Sequence, residues 1–93
     1  MSRLETYKRE EQQLQKFNTV QEAIEYAREH MDCSTADNAG AIMRTPDNKN
    51  MVCAKLHLCS YLDMKGYKKV IGTFDLADVI EGKAKFTDVI EEM

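Results

Sequence analysis

The sequence predicts an α+β fold: two N-terminal helices, a three-stranded antiparallel β-meander and one or two short C-terminal helices. Three observations lead there. Residues 51–61 alternate as a strand, with Val52, Ala54, Leu56 and Leu58 on one face and Cys53, Lys55, His57, Cys59 and Tyr61 on the other. Thr19 and Glu22 form a capping-box pattern, and Val20, Ala23, Ile24, Ala27 and Met31 follow at helical spacing. Turn-forming clusters at 46–50 and 63–66 separate three short apolar runs, as hairpin connections do.

The first helix is expected over residues 2–17, with Ser2 as N-cap, Glu5 three residues later and a long run of Glu, Gln, Lys and Arg. Its apolar stripe is thin, consisting of Leu4, Tyr7, Leu14 and Phe17 and interrupted by Glu11. Such a stripe suits one neighbour or a second chain rather than a core, so 1–17 is expected to be a solvated packing helix, with a partner-facing role and a homodimer as the alternative. A turn-rich break at 32–40 precedes a short strand at 41–45, and the turn at 46–50 leads into the long strand. The third strand is expected at 67–73. Asp75 then reads as the cap of a helix, with Phe74 and Val79 in a hydrophobic staple and Gly82 as its stop. Phe86, Val89, Ile90 and Met93 place a last helical turn or two at 87–93. The expected core comprises Val20, Ile24, Ala27, Ile42, Val52, Leu56, Leu58, Val70, Ile71, Val79, Ile80, Val89 and Ile90.

At 93 residues the chain has room for one modest core, so 1–93 reads as a single small domain. The formal charge of −3 is unevenly distributed. Residues 41–71 carry six Lys/Arg against two Asp/Glu, whereas residues 72–93 carry two against six. This excludes a strong global field for nucleic acid while allowing a local basic patch. Three cysteines, an odd number, and no apolar signal-like segment at the N-terminus point to the cytoplasm, where thiols stay free. No stretch approaches the roughly 20 apolar residues of a membrane span.

Four chemistries compete for the polar residues. His30, Cys33, His57 and Cys59 have metal-ligand chemistry, but there is no Cys-x-x-Cys, and no metal or other cofactor is expected. A thiol enzyme would pair His57 with Cys59, yet no Gly-rich elbow or oxyanion turn accompanies them, so the protein is read as non-catalytic. Nucleic-acid binding would use the basic meander: Arg44, Lys49, Lys55, Lys65, Lys68 and Lys69, with His57, Tyr61 and Tyr67 as stacking groups. The order helix, three strands, helix resembles the double-stranded-RNA-binding domain family. That family's Lys-Lys-x-Ala-Lys helix start is missing, and the final helical region here is acidic.

Protein binding is the favoured reading. Lys55, His57 and Tyr61 on an open sheet face form one expected contact surface, and Asp75, Asp78 and Glu81 form a second. The expectation is a small cytosolic adaptor or inhibitor of a larger protein. An acidic helix suits a nucleic-acid-processing target, whose phosphate sites its carboxylates would occupy as those of phage anti-defence inhibitors do. An RNA- or single-strand-binding module is the alternative, using Lys65, Lys68, Lys69 and Tyr67 with Lys55 and Tyr61.

Overall fold

The computed structural model describes residues 3–31 and 39–90, apart from the Phe86 side chain. Within that range the fold is α+β, with helices around a three-stranded antiparallel sheet. The polar first helix, α1, runs Arg3–Gln13 and has no fully buried residue. Thr19 caps α2 (Val20–His30), its hydroxyl accepting the Glu22 N–H at 3.1 Å. Ala23, Ile24 and Ala27 form the buried face of α2; the two alanines bring its backbone close to the sheet. Strands β1 (Gly40–Arg44) and β2 (Met51–Lys55) make a hairpin. Its turn is closed by the buried Thr45, whose hydroxyl donates to Asp47 and accepts the Asn50 N–H. Helix α3 (Leu56–Met64), strand β3 (Lys68–Ile71), and helices α4 (Thr73–Ile80) and α5 (Phe86–Val89) complete the fold.

The expected long strand ends at Lys55. From Leu56 the chain is helical, burying Leu58, Tyr61 and Leu62 at i, i+3, i+4 spacing and leaving Leu56 45% exposed. Alternating leucines fit either period over so short a run, and leucine favours helix. The helix also changes the sheet order. A tight hairpin after β2 would have set β3 beside it, but nine helical residues cover about 13 Å, enough to cross two strand spacings of about 5 Å each. The order is therefore β2-β1-β3, with β1 central. A bulge places both Val70 and Ile71 against the same core: Ile42 pairs with Ile71 and Met43 with Lys69, leaving Val70 as the extra residue.

Both faces of the sheet are covered, which corrects the expectation of an open one. On one side α2 and α4 enclose Phe17, Ile24, Ile42, Cys53, Ile71, Leu76 and Val79. On the other, α3 encloses Met43, Val52, Ala54, Leu58, Tyr61, Leu62 and Tyr67, with Tyr7 of α1 and Leu14 just beyond it packed outside. Cys53, expected on the polar face, is buried, and its thiol donates to the Ala23 carbonyl of α2 at 3.0 Å. Of the expected core, Ile24, Ala27, Ile42, Val52, Leu58, Val70, Ile71 and Val79 are buried, whereas Val20, Ile80, Val89 and Ile90 pack at its margin.

Two glycines in the left-handed region end α3 and α4. At Gly66 (φ 99°) the Tyr67 N–H reaches the Leu62 carbonyl and the Gly66 N–H reaches Asp63. At Gly82 (φ 81°) Lys83 and Gly82 make the same two bonds to Asp78 and Val79. Both are Schellman motifs, in which glycine adopts without penalty a conformation that costs other residues about 1–2 kcal/mol. The stop expected at Gly82 is observed. The cluster at 63–66, expected as a hairpin turn, is a helix end of the same kind. No described helix is long and apolar enough to cross a membrane.

Candidate functional site

The first expected surface, Lys55, His57 and Tyr61, belongs to a different environment from the one anticipated. Lys55 ends β2 and precedes α3, and it is exposed. His57 lies on the outer side of α3, where its Nε2 is 2.9 Å from Glu10 Oε2 of α1. Tyr61 is buried, with its ring 5.4 Å from that of Tyr7. Its hydroxyl donates to Glu11 at 3.2 Å, and the buried Tyr67 donates to the other Glu11 oxygen at 3.1 Å. Glu11, which interrupts the apolar stripe of this helix in the sequence, is therefore a polar clamp fastening α1 over α3. Burial, together with acceptance by Glu11, raises both phenols, Tyr67 to about 12.

This arrangement separates His57 from Cys59, which both the metal and the thiol alternatives had placed on one strand face. On a strand His57 and Cys59 would share a face; two positions apart on a helix they diverge. Cys59 instead points its thiol back at the Ala54 and Lys55 carbonyls. Burial raises its pKa, with Lys69 opposing weakly, and burial pushes the Cys53 thiol up to about 12. Both therefore stay protonated at neutral pH, unlike a catalytic thiolate. Cys33 lies outside the described residues, and among those described no three His, Cys, Asp or Glu side chains converge on a point that could hold a metal ion.

The basic residues separate into two groups. Lys65, Lys68 and Lys69 are exposed at the end of α3 and on the edge strand β3. Lys55 pairs with Gly40 while Lys68 pairs with Arg44, so about 13 Å of β1 separates their levels along the strand. The expected stacking groups Tyr61 and Tyr67 are buried with their hydroxyls held by Glu11. The lysines are thus left without an exposed aromatic platform from either tyrosine.

The acidic surface is built on α4. Its N-cap is Gly72, so Phe74 and Asp75 lie inside the first turn instead of forming the expected staple and cap. At about 100° per residue, Leu76, Val79 and Ile80 form one side, and Phe74, Asp78 and Glu81 share the opposite one. Leu76 and Val79 are buried, whereas Phe74 is 89% exposed and Asp78 and Glu81 are exposed. The other aromatic side chains described, Tyr7, Phe17, Tyr26, Tyr61 and Tyr67, are buried or half-buried. Asp75 suits the positive end of the helix dipole, but Asp78 and Glu81 approach its negative end, where acids cost about 0.3–1 kcal/mol. Lys83, 3.0 Å from Glu81, offsets part of this cost, and the pairing raises its own pKa. Phe74 was the missed member of this surface. Its spacing from Asp78 and Glu81, i, i+4, i+7, was the available signal.

Comparison with protein-family models, with curated proteins and with solved structures finds no match for this chain. The functional reading accordingly rests on the surfaces just described.

Proposed function

We propose that this chain is a small non-catalytic cytosolic protein-binding module, an adaptor or inhibitor that docks on a larger protein through the outer face of α4. The observation that carries the reading is Phe74, an aromatic ring 89% exposed and bordered on its own helix face by Asp78 and Glu81. An apolar anchor inside a charged rim is the usual anatomy of a protein interface. Covering the ring in a partner's pocket returns about 2 kcal/mol, roughly thirtyfold in affinity. The acids select a basic partner surface, and they sit where helix stability alone would favour lysine or arginine. A nucleic-acid-processing enzyme is one class of protein with such a surface.

The test is affinity capture from native lysate with nuclease present, comparing the wild-type chain with Phe74→Ser, Asp78→Lys and a Lys68→Glu/Lys69→Glu double variant. A stoichiometric protein retained by the wild type and the lysine variant, and lost by the α4 variants, supports the proposal. Material that disappears with nuclease and with the lysine substitutions would instead support the nucleic-acid reading.

A further inference from the structure

Among the described residues the outer edge of β2 is only partly paired. At its start, Phe17 and Met51 exchange both backbone hydrogen bonds, N–H to carbonyl at 2.8 Å and 2.9 Å, which makes the α1–α2 connection a one-residue fourth strand. In an antiparallel ladder the outward and inward backbone groups alternate. With Met51 directed outward, Val52 and Ala54 turn toward β1, and Cys53 N–H, Cys53 C=O and Lys55 N–H turn outward. The Leu56 N–H, which bonds inward to Ala39 at 2.8 Å, keeps the same phase.

Continuing the antiparallel bridge backward from Phe17 would set Gln15 opposite Cys53 and Gln13 opposite Lys55. The chain instead lifts away into α1 and leaves a cleft of about 230 Å³ along this stretch of edge. At about 30 Å³ per water-sized group, the cleft accommodates seven or eight such groups, enough for a short length of extended backbone. Gln13, Leu14 and Gln15 form one wall, Tyr26 and His30 of α2 with the following Met31 another, and Cys53 and Lys55 lie along the edge. Leu14 and Met31 supply apolar contact, and the Tyr26 ring packs tilted against His30 at 4.3 Å between centroids. The Glu10 carboxylate at the rim is occupied by His57, leaving the Lys55 ammonium without an ion pair among the described residues.

We infer that this cleft is a β-augmentation site, where a short extended peptide bearing an acidic side chain adds to β2 beyond the Phe17 bridge. Cys53 and Lys55 provide the backbone hydrogen bonds, and Lys55 pairs with the peptide's carboxylate. The site is separate from the α4 face, and no residue of α4 lines it.

The experiment is a two-dimensional amide NMR titration of the full chain with a capped five-residue peptide of alternating valine and glutamate. Controls are the valine–lysine counterpart and a version with every backbone nitrogen methylated. The expected result is saturable shifts at Cys53, Lys55 and Met31, slower hydrogen exchange at the Cys53 and Lys55 amides, and about tenfold weaker binding for Lys55→Glu. The Lys55→Glu variant should instead favour the lysine peptide, and Phe74→Ser should bind like wild type. Leu14→Trp, which narrows the cleft, should abolish binding while the spectrum remains that of a folded chain. Equal binding of the methylated peptide, shifts confined to α4, or no saturable shift at all would overturn the assignment.

Discussion

Replacing Glu11 by alanine should loosen α1 from the rest of the protein. Glu11 is half-buried and accepts from Tyr61 and Tyr67 at 3.2 Å and 3.1 Å. A hydrogen bond to a charged partner contributes about 1.5–3 kcal/mol, and partial solvent access places the clamp as a whole near the lower end, about 2 kcal/mol. At about 0.05–0.15 kcal/mol per residue, a chain of this length has a stability of roughly 5–14 kcal/mol, so the loss is large enough to measure. Because α1 has no fully buried residue, little apolar packing stands behind the clamp. Urea unfolding followed by far-UV circular dichroism gives the free-energy change. A double-mutant cycle with Tyr67→Phe gives the coupling, expected to be about 1 kcal/mol. A loss below about 0.5 kcal/mol for Glu11→Ala, or strict additivity with Tyr67→Phe, would refute the clamp.

Tyr67 gives a pH prediction. Its pKa is raised to about 12 in the fold, so the folded state keeps its proton while the unfolded chain begins to lose it near 10. Stability from this group is complete below pH 10 and is lost as pH rises toward 12. After allowance for solvent at the hydroxyl the loss is about 1–2 kcal/mol. Alkaline unfolding monitored by tyrosinate absorbance checks it; Glu11→Gln should flatten the dependence, and an unchanged profile in that variant contradicts the assignment. Gly82→Ala should cost about 1 kcal/mol from backbone conformation alone, since an added Cβ meets nothing within 4 Å. A neutral effect in thermal unfolding would argue against the Schellman end. In a Cys33→Ser background, Cys53 and Cys59 should label with a neutral-pH thiol reagent far more slowly than a free cysteine, because burial keeps both protonated. Immediate labelling of either one would contradict that placement.

The parts of the fold legible in the sequence are those where local chemistry has one solution. Thr19 and Glu22 could only begin a helix, and the Thr45-to-Asn50 segment could only turn. Leu56 to Met64 was ambiguous because its leucines satisfy a period of 2 and a period of 3.6 equally over so short a run. The deciding signal was Gly66, which ends α3 just as Gly82 ends α4. Misreading that helix as strand carried the site reading with it: His57 and Tyr61 moved from an open sheet face to a helix held by Glu10 and Glu11. The contacts of α1 with His57, Tyr61 and Tyr67 join residues 47 to 56 positions apart, and no sequence period encodes them. Asp78 and Glu81 share an exposed helix face whatever the sheet order, so their grouping was legible in the sequence. Its centre, Phe74, was missed because the helix was expected to begin after it.

The most direct test of the α4 face is hydrogen exchange on the chain alone and in complex with a protein partner captured from lysate. Exchange should slow across residues 73–82 in the complex, and Phe74→Ser should prevent complex formation while leaving the free chain's exchange pattern otherwise intact. Protection confined to β3 around Lys68 and Lys69, with no change along α4, would contradict it.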